Sequence, residues 1–381
     1  MRRGFTLLAF LLAAGFLGTA DPALAQSPFA SADYQARLEQ YTRARQAYDE
    51  EASVYWRSIL EKRRARDIKR RDGVTVELTD YVLTQPPVYT GPPRPVDPRT
   101  PGDDEPRRPE IPVVADFLRA AAEQFGFVPH RPESELAFKR AYAQAAAAAG
   151  LTREQIVRIY AFETGGNGTY DTQAGISPSR PNSRAISPAL GYNQLLSTNT
   201  VGMLAEHGDD FVKVLRQKRD HLAGEARAAM ERKIEALQRM IALSRSVPRR
   251  WNDHDKLAKE TAGGIGIHAA VLDRDLGPLL QVQKLVNSVR FARTKGHRTT
   301  LTATELELMN FTGDSNGLDM AMMPPTFRQQ VPTANFFQQS GYERNPIARR
   351  TGVVAKLIAD MDARMNQASQ APGARELAAM F

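Results

Sequence analysis

The stretch TREQIVRIYAFETGG, residues 152–166, decides the reading of this chain. Thr152 with Gln155 three positions on is a capping-box pattern, which opens a helix by satisfying two free amide donors. Ile156, Ile159 and Glu163 recur at spacings of three and four, which sets Glu163 on the apolar stripe rather than the solvated face. Gly165 and Gly166 then end the helix. Glu163 therefore stands at a helix C-terminus, where the backbone dipole is negative. Partial burial and the helix end both disfavour a carboxylate and push its pKa upward. A carboxyl kept protonated near neutral pH can act as a general acid. Spacing alone leaves open a terminal Glu that bends out to water.

Working outward, the surrounding chain is patterned as helix almost throughout. Val114, Phe117, Leu118 and Ala121 give 113–125 one apolar face, and the Ala-rich 134–149 ends at Gly150. The highly charged 209–245 reads as a protruding helix or helical hairpin, with Gly224 its only plausible break. Helical patterns return at 254–274, 278–294, 303–311, 325–338 and 347–366. No alternating run is long enough to demand a sheet, so the expected fold is mainly α. Residues 113–366 form the main domain in this reading, with 209–245 as a long helical insertion and 367–381 as a C-terminal tail.

Three segments precede that domain. Residues 1–25 read as a signal peptide: Arg2 and Arg3, an apolar stretch over 5–17, then Ala23-Leu24-Ala25 as a cleavage site. The apolar stretch is shorter than the ~20 residues of a membrane helix, so the mature chain is expected without a transmembrane segment, periplasmic or secreted. Residues 26–85 read as a helical basic arm, with one helix over 29–71. Its end, 57–71, holds eight Lys or Arg against two acids, which suits a polyanion-binding arm or a solvated helix face. Residues 86–112 hold ten of the 24 prolines and read as a linker, or as a strap docked through Tyr81 and Tyr89.

Charge and composition narrow the chemistry. The 51 Lys and Arg outnumber the 43 Asp and Glu, for a net charge of +8. Outside the cytoplasm the polyanions to meet are peptidoglycan carboxylates, anionic lipids and lipopolysaccharide, so no nucleic-acid partner is expected. The absence of cysteine excludes disulfides, Cys-ligated zinc, iron–sulfur clusters and a cysteine nucleophile. The six histidines have no metal-ligand spacing, and His268 reads as a core residue. No phosphate-binding or dinucleotide fingerprint is present, and no cofactor is expected.

Three motifs carry a resemblance. Ala161-Phe162-Glu163-Thr164 is similar to the Glu-Ser motif of lytic transglycosylases in the lysozyme-like superfamily. The stretch PALGYNQLLSTNT, 188–200, resembles that family's Gly-Leu-Met-Gln segment and the start of its next helix. Met309-Asn310-Phe311-Thr312-Gly313 resembles its Tyr-Asn-Ala-Gly. The resemblance spans residues 140–320 and implies a lysozyme-like helical domain that cleaves peptidoglycan glycan strands.

It implies roles as well. Glu163 would be general acid and then general base, Thr164 would stand for the motif Ser, Gly191 and Gln194 would shape the groove floor, and Asn310 would lie near the catalytic carboxyl. Met309 occupies the place of the motif Tyr, so Tyr192 or Tyr342 is expected to bring a phenol to the site. The Gly-rich loop 164–187 would wall the groove, with Asn167, Tyr170 and Asp171 as sugar contacts. The substrate's own acetamido group would serve as nucleophile, a known exception to two-carboxylate glycoside cleavage. Two alternatives stand beside this reading. One is a non-catalytic glycan-binding or scaffolding envelope protein. The other is a hydrolase that pairs Glu163 with Asp314 or Asp319. The 209–245 insertion is expected to dock an envelope partner or gate the groove.

Overall fold

The computed structural model describes residues 28–97, 110–177, 179–180 and 182–381. The expected signal peptide, 1–25, lies outside the described residues, as do residues 98–109 of the Pro-rich segment. Among the described residues the fold is mainly helical and has no strand, only isolated bridges such as Gln173 with Leu190. No helix among them is long and apolar enough to cross a membrane.

The chain divides into two compact units, Met1–Ser53 with Pro87–Arg108, and Val54–Pro86 with Pro109–Phe381. Helix α1 (Pro28–Arg71) contributes to both. In the first unit the start of the Pro-rich segment docks on α1. Tyr89 stands edge-on to Tyr41 and Tyr48, with ring centroids 6.2 and 5.6 Å apart. The Arg45 guanidinium lies 5.6 Å from the centre of the Tyr89 ring. These aromatic contacts hold the segment against α1 at Tyr89.

In the second unit several side chains of the basic end of α1 turn inward. Trp56 and Ile59 are buried. Arg63 donates to the carbonyls of Asn335 and Phe337 at 2.9 and 2.8 Å. Arg66 is fully buried, and it pairs with Asp319 while its guanidinium covers the Tyr81 ring at 4.3 Å. Arg70 joins the same aspartate, and Lys69 pairs with Asp80 at 2.7 Å. Arg63 and Arg66 thus serve the interior of their own unit, whereas Arg57, Arg64, Arg70 and Arg71 remain exposed. A buried cation needs a partner to offset its lost hydration, and Asp319 supplies it.

The remaining helices build two apolar clusters. Helices α2 (Val114–Phe125), α3 (Glu135–Ala148) and α4 (Arg153–Thr164) come first, followed by α5 (Ser197–Asp220), α6 (Gly224–Ser244), α7 (Trp251–Glu260) and α8 (Ala262–Ile267). Next come α9 (Gly277–Thr294), α10 (Ala303–Thr312) and α11 (Asp314–Met322). The short α12 (Pro325–Arg328), α13 (Gln339–Glu343) and α14 (Pro346–Thr351) lead to α15 (Val354–Ala368) and α16 (Pro372–Ala378). The first cluster joins α2, α5, α6 and α8 through Phe117, Leu204, Phe211, Leu237 and Ile267. The second surrounds α4, on which α3, α10, α15 and α16 pack.

Two expectations change here. The 209–245 segment is a helical hairpin that breaks before Gly224, but it does not simply protrude. Leu215, Leu237 and Met240 are fully buried in the first cluster. Lys233, also buried, ties α6 to the turn before α9 through Asp273 and Asp275 at 2.8 and 2.6 Å. Residues 367–381 are not a tail. They carry α16, whose Ala374 and Leu377 are fully buried in the second cluster, because an apolar helix face gains stability by leaving water.

Candidate active site

Helix α4 forms as its sequence dictates. The Thr152 hydroxyl accepts from the Gln155 amide at 3.2 Å, and the Gln155 side chain accepts from the Thr152 amide at 2.8 Å. At the other end Gly165 adopts φ +65°, the left-handed turn that stops the helix. Ile156, Ile159 and Tyr160 are fully buried, which presents half-buried Glu163 toward α10.

There Glu163 meets Asn310. The Asn310 amide donates to Glu163 Oε1 at 2.6 Å, across 147 positions of sequence. Asn310 also reaches Glu307 Oε1 at 3.4 Å, so one amide bridges two carboxyls. Glu307 and Glu163 are themselves within hydrogen-bonding reach. Glu307 is fully buried, and its Oε2 has no N–H or O–H donor among the described residues. Lys284 of α9 is the cation that faces both carboxyls, and it lies 3.8 Å from Asp314.

Burial pushes Glu163 up to about 7. Hydrogen bonds from Glu307 and Asn310, and the charge of Lys284, pull in the opposite sense. Glu307 stands well above the usual carboxylate range, first through burial and then through the facing Glu163. Neighbouring carboxylates disfavour each other's ionisation, the more so where one of them, Glu307, is fully buried. The pair therefore retains at least one proton near neutral pH, and Glu163 can give or take a proton there.

The other expected residues sort differently. The Thr164 hydroxyl donates to the Tyr160 carbonyl at 2.6 Å, closing the last turn of α4. Asn167 is exposed and accepts from the Gly373 amide at 3.0 Å, which ties the loop after α4 to α16. Tyr170 is half-buried against Phe138, and its amide donates to Glu135. Gly191 takes φ +78°, and a Cβ there would collide with the Gln281 side-chain amide. That close approach is why the position holds glycine. Gln194 has φ +43°, and its amide donates to the carbonyls of Thr172 and Gly191 at 3.0 and 2.8 Å. A non-glycine residue in this region is costly and persists only where its surroundings hold it.

Tyr192 is corrected from substrate contact to core residue. It is fully buried, ringed by Phe138, Tyr142 and Tyr160 at 4.8–5.2 Å, and its hydroxyl donates to Glu135. Gly191 is buried too, so it shapes the loop rather than offering a surface. Neither expected phenol reaches Glu163, for Tyr342 packs on Trp56 and Phe337. Asp319 accepts from Arg66 and Tyr81 within the second unit and belongs to that network. Asp314 accepts from Ser288 at 2.7 Å and lies 3.8 Å from Lys284.

Glu307 is the residue that sequence reading missed. A sign of it was present: a Glu inside the run Leu306-Glu307-Leu308-Met309, three positions before Asn310 and thus on the same helix face. Paired carboxylates that work on a glycoside stand about 5–9.5 Å apart to admit the sugar, whereas Glu307 and Glu163 share a single donor, the Asn310 amide. Among the described residues no cluster of three or more His, Asp or Glu side chains is arranged to hold a metal ion. No protein-family model, curated protein or solved structure matches this chain.

Proposed function

We propose that this protein is a peptidoglycan lytic transglycosylase of the cell envelope, on a divergent lysozyme-like domain. The observation that carries the reading is the Asn310–Glu163 hydrogen bond, which joins two motif positions 147 residues apart. The chemistry needs one carboxyl that donates and then accepts a proton, and Glu163, pushed up to about 7, suits both halves of that cycle. Protonated Glu163 gives its proton to the glycosidic oxygen as that bond breaks. The acetamido oxygen of the cleaved sugar bonds to the anomeric carbon. Glu163, now a carboxylate, takes the proton of the 6-hydroxyl, whose oxygen displaces the acetamido oxygen. An anhydro ring closes, Glu163 is protonated again, and no water is consumed. The substrate is the glycan strand, and the setting is the periplasm or the cell exterior.

The test is incubation of the purified protein with peptidoglycan sacculi and mass spectrometry of the released fragments. Anhydro-muropeptides are expected from the wild type and none from Glu163→Gln. Reducing-end products would instead indicate hydrolysis. Binding without products from either protein would indicate a non-catalytic glycan-binding protein.

A further inference from the structure

We infer that Glu307 is a positioning residue: it stays a neutral carboxylic acid, donates its hydrogen bond to Glu163, and with Asn310 clamps that carboxyl in place. Its catalytic consequence rests on the reading of Glu163 as general acid and base. The geometry that carries it is threefold. Glu307 is fully buried, one amide of Asn310 reaches both carboxyls at 2.6 and 3.4 Å, and Glu307 Oε2 lacks any N–H or O–H donor among the described residues. A carboxylate buried with an unsatisfied oxygen is costly, whereas a carboxylic acid that donates to its neighbour is satisfied. Buried carboxylic acids kept neutral so that they can donate a hydrogen bond are an attested device in enzymes.

The charged surroundings agree. Helix α10 packs on α4, α9, α11 and α15. From α4 comes Glu163 itself, and from α9 comes Lys284. From α11 comes Asp314, which lies beside Lys284 and accepts from Ser288. From α15 comes Asp362, which is engaged by Arg158 and Thr304. Lys284 is thus the one cation among these groups that faces the pair, and Asp314 shares it. One unshared positive charge would favour ionising a carboxyl, but a shared one leaves the pair with a proton to hold.

The role separates two substitutions. Glu307→Gln keeps an N–H donor of the same shape and cannot ionise. Glu307→Leu keeps the volume and removes the donor. Loss of a hydrogen bond to a charged acceptor moves a pKa by about one to two units. The experiment is a carbon-13 NMR titration of Glu side-chain carboxyls in the full protein, run beside pH profiles of kcat and KM on sacculi. Thermal melts check folding.

Glu163→Gln identifies the Glu163 resonance. In Glu307→Leu that resonance is expected to titrate about one to two units higher, with kcat down tenfold or more and KM unchanged. Glu307→Gln is expected to restore kcat to within threefold and the titration to within half a unit. An unmoved Glu163 titration in Glu307→Leu overturns the inference, and so does a failure of Glu307→Gln to rescue. The titration needs no substrate, so a shifted Glu163 resonance supports the clamp even if no glycan is cleaved, and that result would overturn the proposed function alone.

Discussion

Replacing Asp319 by Ala tests whether the inward turn of the basic helix end is structural. Asp319 is 7% exposed and serves three donors: Arg66 at 3.3 Å, the Tyr81 hydroxyl at 2.8 Å, and Arg70. Arg66 is fully buried, and it otherwise donates to carbonyls, of Asp80 at 3.0 Å and of Asn335 at 3.5 Å. Removing the aspartate leaves a buried guanidinium without a countercharge. Breaking one side of a buried pair costs about 3–5 kcal/mol. Arg70 is partly exposed and can turn to water, so it adds little. The expected loss is therefore about 3–4 kcal/mol, a large share of the ~5–15 kcal/mol that holds a typical domain. Urea unfolding reads it as a lower midpoint at unchanged slope. A double variant, Arg66→Met with Asp319→Leu, is expected to recover more than half of the loss, because hydrocarbon replaces both charges. A loss below about 1 kcal/mol for Asp319→Ala would refute the reasoning. Unaltered stability with abolished glycan cleavage would revive Asp319 as a catalytic carboxylate.

Further outcomes follow from the same structure. Glu163 binds its proton up to about pH 7 when folded, but only to about 4.3 when unfolded. Its stabilising contribution is therefore full below about pH 4.3 and lost as pH rises to about 7. Thermal melts across that range should show the decline in the wild type and a flatter profile in Glu163→Gln. Gly191→Ala puts a Cβ into the Gln281 amide at φ +78°, and it should cost about 2–3 kcal/mol in urea unfolding. Leu377→Ala, at a fully buried position of α16, should cost about 2–4 kcal/mol and show that the C-terminal helix belongs to the fold.

What the sequence made legible was mostly local. The capping box at Thr152 and the stop at Gly165 are near-neighbour chemistry, and both stand where the pattern puts them. The apolar stripe that carries Glu163 was readable for the same reason. Tertiary partners were harder. Tyr192, beside a glycine in a polar stretch, looks like a surface aromatic, yet three rings from α3 and α4 enclose it. Arg63 and Arg66 read as part of a solvated face because their partners, Asn335 and Asp319, lie more than 250 positions away. Glu307 went unnoticed because a Glu in a helix is ordinary until its neighbours are known. Its meaning depends on Glu163 and Asn310 arriving at the same spot.

The measurement that tests the central claim most directly is product identity from sacculi. The full protein and Glu163→Gln are each incubated with purified peptidoglycan, and the released fragments are weighed by mass spectrometry. Muropeptides with an anhydro end from the wild type alone are the predicted result. Equal yields from both proteins, or no anhydro product from either, would contradict the assignment of Glu163 as the acid and base of a lytic transglycosylase.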